Sequence, residues 1–135
     1  MPAEFCDTNV IVYAHVSQDP AKRLTARQLI DRLIIERSGV ISVQVMLESY
    51  SALRKYVSQP ECADIVSDLA QTFAVVEPAK ADVHTAVADS ARWQISVWDA
   101  LILVTARNAG ASVLWTEDLN PGQDYSGVRA RNPFR

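Results

Sequence analysis

Short apolar segments alternate along this chain with longer stretches in which apolar residues recur at helical spacing. The segments 3–6, 40–42, 73–76 and 113–116 are short and mostly apolar, which predicts strands of a sheet that is covered on both faces. Because helical stretches separate these strands, the sheet is expected to be mostly parallel. We predict one α/β domain over residues 1–135, with a short central sheet of four to five strands and helices on both faces.

Capping and breaking residues set the predicted helix ends. Asp19 and Pro20 form an N-cap followed by proline at the first helical position, so a helix is expected from there to about Ser38, where Gly39 ends it. The other predicted helices run from Val10 to about Ala14, Val45 to Tyr56, Cys62 to Phe73, about Lys80 to Trp93, and Ser96 to Gly110. The tail is predicted to be loop with one short extended piece near Val128.

Composition narrows the class of protein. No apolar run approaches the roughly 18 residues that span a bilayer, and the first residues do not resemble a secretory signal, so we expect a cytoplasmic protein that does not enter a membrane. Cys6 and Cys62 are 56 positions apart and are predicted to be free thiols. The net charge of −3 argues against a nucleic-acid-binding protein, although residues 20–60 carry seven basic and only three acidic side chains.

Four acidic residues occupy positions that a parallel sheet brings together. Asp7 follows the first strand, Glu48 lies in the helix after the second, Asp99 lies near the start of the helix that Ser96 caps, and Asp118 follows the fourth strand. Ligands of open α/β sheets bind beyond the carboxyl ends of the strands. We therefore predict that the four carboxylates converge at one edge of the sheet.

Converging carboxylates repel one another unless a cation lies between them. Oxygen ligands suit Mg²⁺ or Mn²⁺, and such ions promote phosphodiester cleavage without a side-chain base. Each acid also has a purely structural explanation: Asp7 can cap a helix, and Asp99 stands three residues after Ser96 in a capping-box pattern. The functional interpretation depends on all four occurring together.

The residues around these acids resemble a known family, the PIN domain, and within it the VapC toxin subunits of VapBC toxin–antitoxin pairs. The resemblance covers the whole chain and is carried by Asp7-Thr8-Asn9, Gln44-Val45-x-x-Glu48, Trp98-Asp99-Ala100, Leu114 to Gly122 with its Thr116-Glu117-Asp118, and Asn132-Pro133-Phe134. It implies an endoribonuclease that depends on Mg²⁺ or Mn²⁺, acts on RNA, forms a homodimer and is inhibited by a cognate antitoxin.

The resemblance also implies roles for single residues. The family's acidic quartet matches Asp7, Glu48, Asp99 and Asp118, of which Asp7, Asp99 and Asp118 are the expected metal ligands. Thr116 matches a hydroxyl residue that supports the site through a hydrogen bond, and Asn9 matches a supporting polar residue near the first acid. Some PIN proteins have another acid where this chain has Asn120, which leaves open whether one or two metal ions bind.

Other residues are assigned less specific roles. Arg129 and Arg131 are expected to contact RNA phosphates, and Tyr50, Arg54 and Tyr56 are candidates for the lining of a groove that the antitoxin occupies.

A bound divalent ion would bring the formal charge of −3 to −1, and two would bring it to +1. The negative net charge of the chain is then no longer an argument against nucleic-acid binding.

Three alternatives remain at this stage. The first is a PIN-like module that binds RNA or protein without catalysis. The second is a phosphatase with Asp7 as its nucleophile, and the third is a phosphoacceptor receiver domain. Phosphatases of this kind carry a second aspartate two positions after the first, where this chain has Asn9. A receiver domain requires paired acids after the first strand and a lysine after the fourth, and neither is present.

Overall fold

The structure of the protein is a computed structural model that describes residues 2–135. It contains the four predicted strands, and a hairpin in the tail extends them to one six-stranded sheet. The strands are β1 (Ala3–Cys6), β2 (Gly39–Ser42), β3 (Ala74–Val76), β4 (Ala111–Trp115), β5 (Asp124–Tyr125) and β6 (Val128–Arg131). The helices are α1 (Thr8–His15), α2 (Pro20–Glu36), α3 (Val43–Leu53), α4 (Gln59–Thr72), α5 (Lys80–Trp93) and α6 (Val97–Asn108). The α/β class is confirmed, and the sheet has one strand more than predicted.

The order of the strands creates a place for a ligand. The sheet order is β3-β2-β1-β4-β6-β5, and every neighbouring pair is parallel except β5 and β6. From β1 the chain moves outward to β2 and β3, and it then returns to the other side of β1 to form β4. The loops after β1 and β4 therefore separate in opposite directions, which opens a crevice at the carboxyl ends of these two central strands.

Side-chain caps fix where most helices begin. Asp19, Ser42, Ser58 and Ser96 each accept a hydrogen bond from a backbone N–H in the first turn of the following helix, as N-cap residues do. Asp7 caps α1 in the same position, so α1 begins at Thr8 rather than at the predicted Val10.

The end of α2 was predicted wrongly. Arg37, with φ 54°, is the left-handed residue that ends the helix, and Gly39 is already the first residue of β2. A Cβ atom at Gly39 would lie 2.6 Å from the ring of Phe73. The glycine is therefore needed for close packing of β2 against this ring rather than for helix termination.

The main core surrounds the sheet on both faces. All four residues of β2 are buried, as are Phe5 and Cys6 in β1, and neighbouring residues of a strand point to opposite faces. A second, smaller cluster of Ala86, Ala100 and Val104 joins α5 to α6. The helix layers thus hold β1 and β4 rigidly under the crevice.

Within residues 2–135, no helix combines the length and the apolar character that crossing a bilayer requires.

Candidate metal centre

Backbone hydrogen bonds bring the ends of three parallel strands into register at the crevice. The Asp7 N–H donates to the Trp115 carbonyl at 3.0 Å, and the Thr116 N–H donates to the Arg131 carbonyl at 2.9 Å. The loops that carry the first and fourth predicted acids therefore leave the sheet side by side.

Three of the predicted acids meet in this crevice. Asp7, Asp99 and Asp118 each offer a carboxylate oxygen, and the three oxygens lie within 4.8 Å of one another. Asp7 is buried, Asp99 is half-buried and Asp118 is exposed, so the cluster is open to solvent on one side. The cavity above it has a volume of about 320 Å³. The order of the strands had predicted that four carboxylates converge here, and three of them, although far apart along the chain, do so.

Two neutral side chains hold the carboxylates in place. The Thr116 hydroxyl donates to Asp7 Oδ2 at 2.7 Å and accepts from the Asp118 N–H at 3.1 Å. Asn9 Nδ2 donates to Asp118 Oδ2 at 3.1 Å. Thr116 thus contacts the first and the fourth acid, whereas Asn9, which was expected near the first acid, donates its amide to the fourth.

The electrostatics of the cluster are unfavourable without a cation. Burial raises the pKa of Asp7 to about 6, against the hydrogen bonds from Thr116 and Thr8, and the charges of Asp118 and Asp99 add to the rise. Burial and the charge of Asp118 likewise raise the pKa of Asp99. Among residues 2–135, no lysine or arginine forms an ion pair with any of the three acids.

Glu48 lies on the wall of the same cavity rather than among the three converging oxygens. Its Oε1 accepts from the Thr8 hydroxyl at 3.3 Å and from Gln44 Nε2 at 3.4 Å. The sequence analysis gave no role to Thr8 or Gln44, although both stand in the motifs that carry the resemblance. Thr8 also donates its backbone N–H to Asp7 Oδ1 at 2.7 Å, so it links two of the predicted site acids.

Glu117 points away from the cavity although it is the neighbour of Asp118. Its Oε1 accepts from the Tyr13 hydroxyl at 2.7 Å, and its Oε2 pairs with Lys22 Nζ at 2.7 Å. Burial works to raise the pKa of Glu117, but the bonds from Lys22 and Tyr13 hold it below the ordinary value. Glu117 is therefore a paired carboxylate beside three unpaired ones. Lys22 lies 95 positions before Glu117, and no pattern in the sequence indicated this pairing.

The donor set fits a hard divalent cation. Three carboxylate oxygens converge without a positive partner, and carboxylates are the ligands that Mg²⁺ and Mn²⁺ prefer. Asn9 Oδ1 is also buried without a hydrogen-bond partner in the described chain, which leaves an additional oxygen lone pair beside Asp118. Asn120, in contrast, donates its side chain to Gln123 at 3.0 Å and does not line the cavity.

The remaining predicted contact residues lie outside the acidic cavity. Arg129 and Arg131 are exposed on β6 and border a separate cavity of about 500 Å³, together with Trp115 and Arg135. Tyr50, Arg54 and Tyr56 line neither this cavity nor the acidic one.

An apolar groove adjoins the acidic cavity and shares three of its lining residues, Gln44, Glu48 and Trp98. Its volume is about 580 Å³. Leu47 and Trp98 are 67% and 65% exposed there, which is unusual for large apolar side chains. The three groove candidates from the sequence do not border it.

Solved structures with the same architecture include toxins and toxin–antitoxin complexes. A toxin–antitoxin complex from Klebsiella pneumoniae matches with a TM-score of 0.69 and 21% identity, covering 93% of this chain and 94% of the other. The sarcin–ricin loop cleaving toxin VapC20 from Mycobacterium tuberculosis matches with a TM-score of 0.68 and 17% identity over 86% and 90% of the two chains. DNA-bound VapBC from Salmonella typhimurium matches with a TM-score of 0.69 and 19% identity over 98% and 99%.

At these identities the structural likeness establishes the fold and nothing more. Among curated proteins no match is found. The sequence model of the PIN domain, however, matches residues 5–122, a range that contains all three converging acids and both of the neutral residues that hold them. The family that the motifs indicated is thereby confirmed, and the chain belongs to the PIN domain family.

Proposed function

We propose that this protein is an endoribonuclease that depends on Mg²⁺ or Mn²⁺ and serves as the toxin of a toxin–antitoxin pair. The observation that carries the proposal is the meeting of three unpaired carboxylate oxygens, within 4.8 Å of one another, at the switch point of a PIN domain. VapC20, which shares the fold, is a toxin that cleaves the sarcin–ricin loop.

Each residue of the crevice has a distinct part in this proposal. Asp7, Asp99 and Asp118 hold the divalent ion, which supplies Lewis acidity toward a phosphodiester and lowers the pKa of water. Thr116 keeps Asp7 and Asp118 in their relative positions by bonding to both. Glu48, on the cavity wall beside Thr8, has the proposed role of accepting a proton from a water molecule or orienting it.

RNA cleavage by the purified protein tests the proposal. Labelled tRNA and mRNA are incubated with the protein in Mg²⁺ or Mn²⁺, and the same reactions are run in EDTA. We expect cleavage only with the metal, and a loss of at least about 100-fold in Asp7→Asn and Asp99→Asn, because each substitution removes a charged ligand. Asp64→Asn changes an exposed acid of α4 outside the cavity and should cleave like the parent.

Equal cleavage by Asp7→Asn, Asp99→Asn and the parent would show that this crevice is not the catalytic site. Calorimetric titration with Mn²⁺ separates the enzyme from a PIN-like binding module, since a module with a degenerate site would show no specific binding. The phosphatase alternative is weakened because the Asn9 amide donates to Asp118 and supplies no acid. Trapping of a phosphoaspartate on Asp7 would restore it.

The proposed protein partner is the antitoxin, and its proposed docking surface is the apolar groove beside the acids. A segment seated on Leu47 and Trp98 would also cover Gln44 and Glu48, which border both cavities, and would thereby block access to the metal. Complexes of toxin and antitoxin among the structures of this fold support an antitoxin as the partner, and the exposed apolar side chains of the groove support its position.

The antitoxin proposal is tested with the product of a neighbouring short gene, where one is present. We expect that product to inhibit cleavage by the parent, and Leu47→Glu, which puts a charge on the exposed wall of the groove, to escape inhibition while still cleaving. Light scattering on the free protein tests the proposed homodimer. Inhibition of Leu47→Glu as strong as that of the parent would place the antitoxin elsewhere.

Arg129 and Arg131 are proposed to contact RNA phosphates at their own cavity, with Arg135 as a third positive group. If they do, Arg131→Ala should weaken RNA binding and reduce its salt dependence by about one unit of slope. An unchanged salt slope would assign these arginines to the solvent-exposed surface alone.

A further inference from the structure

Asp118 is the least constrained of the three acids. It is exposed and lies in the loop after β4, whereas Asp7 and Asp99 are anchored at the beginnings of helices. Within the described chain, its carboxylate accepts one side-chain hydrogen bond, from Asn9. The position of this carboxylate therefore depends on how firmly the loop itself is held.

The neighbouring residue holds that loop to two helices. Glu117 accepts from the Tyr13 hydroxyl of α1 with one oxygen and from Lys22 of α2 with the other, each at 2.7 Å. Because α1 begins directly after Asp7, this contact connects the loop of Asp118 to the helix that Asp7 caps. A carboxylate with both oxygens bound to different elements has little rotational freedom.

Two aromatic rings lie against the ammonium group of Lys22, and together with Tyr13, Phe134 and Glu117 this lysine forms one side-chain cluster. Lys22 Nζ lies 4.8 Å from the centroid of the Tyr13 ring and 5.4 Å from that of Phe134. The two rings pack edge to face with their centroids 5.3 Å apart. Since Tyr13 also lines the acidic cavity, the cluster forms a continuous support between the tail, the loop and the cavity wall.

We infer that Tyr13, Lys22 and Glu117 are positioning residues, which fix the backbone of residues 116–118 and thereby set Asp118 for metal binding. The inference rests on the proposed metal site. Glu117 is held away from the cavity by its partners and acts through the loop rather than as a ligand. An ion pair whose side chains are 34% and 25% exposed contributes little to global stability. Loss of this pair should therefore lower the affinity for the metal ion rather than the unfolding temperature.

Calorimetric titration of metal-stripped protein with Mn²⁺ tests this inference. Glu117→Gln keeps the size of the side chain but removes its charge, and we expect Mn²⁺ affinity to fall about 10-fold, as when residues that orient a ligand are changed. Tyr13→Phe removes one hydroxyl and should cost about 3-fold, which is a smaller loss of the same kind. Lys22→Arg keeps a positive hydrogen-bond donor for Glu117 and should leave the affinity within about 2-fold of the parent.

Glu36→Gln is the matched control. It breaks the Glu36–Arg32 pair, which has a 3.0 Å contact and a carboxylate of similar exposure, but lies outside the acidic cavity. We expect this variant to bind Mn²⁺ like the parent. Thermal unfolding in EDTA is recorded for every variant, and Glu117→Gln and Glu36→Gln should unfold at similar temperatures.

A double substitution shows whether the effect passes through Asp118. In an Asp118→Asn background, Glu117→Gln should cause no further loss of Mn²⁺ affinity. Equal affinity of Glu117→Gln and the parent, or the same tenfold loss in the Asp118→Asn background, would overturn the inference and leave the metal site intact. Absence of Mn²⁺ binding by the parent would overturn the proposed function and the inference together.

Discussion

Two acidic residues of the same strand region have opposite surroundings. Glu4 lies within β1 and accepts two hydrogen bonds from the Arg32 guanidinium and one from Trp115 Nε1, and the Arg32 bond is the main reason that the pKa of Glu4 is lowered. Asp7 follows the same strand, is more deeply buried, has no cationic partner in the described chain and has a raised pKa.

The difference separates an acid that is paired within the fold from the acids to which we assign the proposed metal site. The Glu4 carboxylate is stabilised by the guanidinium group of Arg32. Asp7, Asp99 and Asp118 have no such partner among the described residues, so a bound cation would stabilise them. A buried carboxylate in a cleft whose pKa is raised, as that of Asp7 is, is typical of functional sites. The comparison predicts that removing charge has opposite effects on stability in the two regions, and four experiments test it.

The largest effect is expected from metal addition. At a Mn²⁺ concentration about 100 times the Kd, the free energy of unfolding of the parent should rise by about 2.7 kcal/mol, because the ion binds only the folded chain. If Asp99→Asn weakens binding about 100-fold, the same concentration should add only about 0.4 kcal/mol. Urea denaturation with and without Mn²⁺ gives both values. A full increment in Asp99→Asn would contradict the assigned ligand set.

Charge removal in the acidic cavity should stabilise the metal-free protein. A pKa raised to about 6 means that ionised Asp7 is less favourable in the folded chain than in the unfolded one. Asp7→Asn should therefore increase the free energy of unfolding at pH 7 by about 2 kcal/mol after allowance for the altered Thr116 bond. Urea denaturation in EDTA measures the change. A less stable Asp7→Asn would show that the carboxylate has a structural role.

Charge removal at Glu4 should have the opposite sign. Glu4→Gln removes the anion that binds both guanidinium nitrogens of Arg32, leaves Arg32 paired with Glu36 alone among the described residues, and weakens the acceptor for Trp115. The free energy of unfolding should therefore fall by about 1.5 kcal/mol at pH 7. Glu36→Gln removes only a single bond between residues one helical turn apart and should cost about 0.4 kcal/mol. Equal losses in the two variants would contradict the special role given to Glu4.

The smallest effect concerns pH. Because the pKa of Glu4 is lowered from 4.5, its contribution is fully present above that value and is lost as the pH falls through the lowered pKa. The stability difference between the parent and Glu4→Gln should thus be constant near neutral pH and shrink below about pH 4. Urea midpoints from pH 7 to pH 3 record it. A difference that grows on acidification would show that the pKa of Glu4 is not lowered in the folded protein.

The sequence predicted the strands and the acids better than it predicted element ends. Strands β1 to β4 and the order of the acids depend on runs of apolar residues and on topology, both of which are visible in sequence. The end of α2 depends on Arg37 adopting a left-handed conformation, which no residue preference indicates. The two-residue strand β5 is too short for any periodicity, and its hairpin is marked only by Ser126 and Gly127 at positive φ.

Within the site, side-chain direction was the part that sequence could not supply. Asp118 and Glu117 are adjacent, yet one points into the cavity and the other toward α1 and α2. The partner of Glu117 is Lys22, 95 positions earlier, and such a contact is known only once the loop conformation is known. For the same reason the exposed Leu47 and Trp98, rather than Tyr50 and Tyr56, border the groove.

The pairing of β1 with β4 determines when, during synthesis of the chain, the proposed site can form. Thr116 bonds to Asp7 across 109 positions, so the pocket assembles only when nearly the whole chain has been synthesised and has closed its most distant contacts, which form slowly. A ribosome-bound chain therefore carries Asp7 long before the three carboxylates of the proposed metal site can meet. The strand order therefore separates the synthesis of Asp7 from the assembly of the proposed site by almost the whole length of the chain.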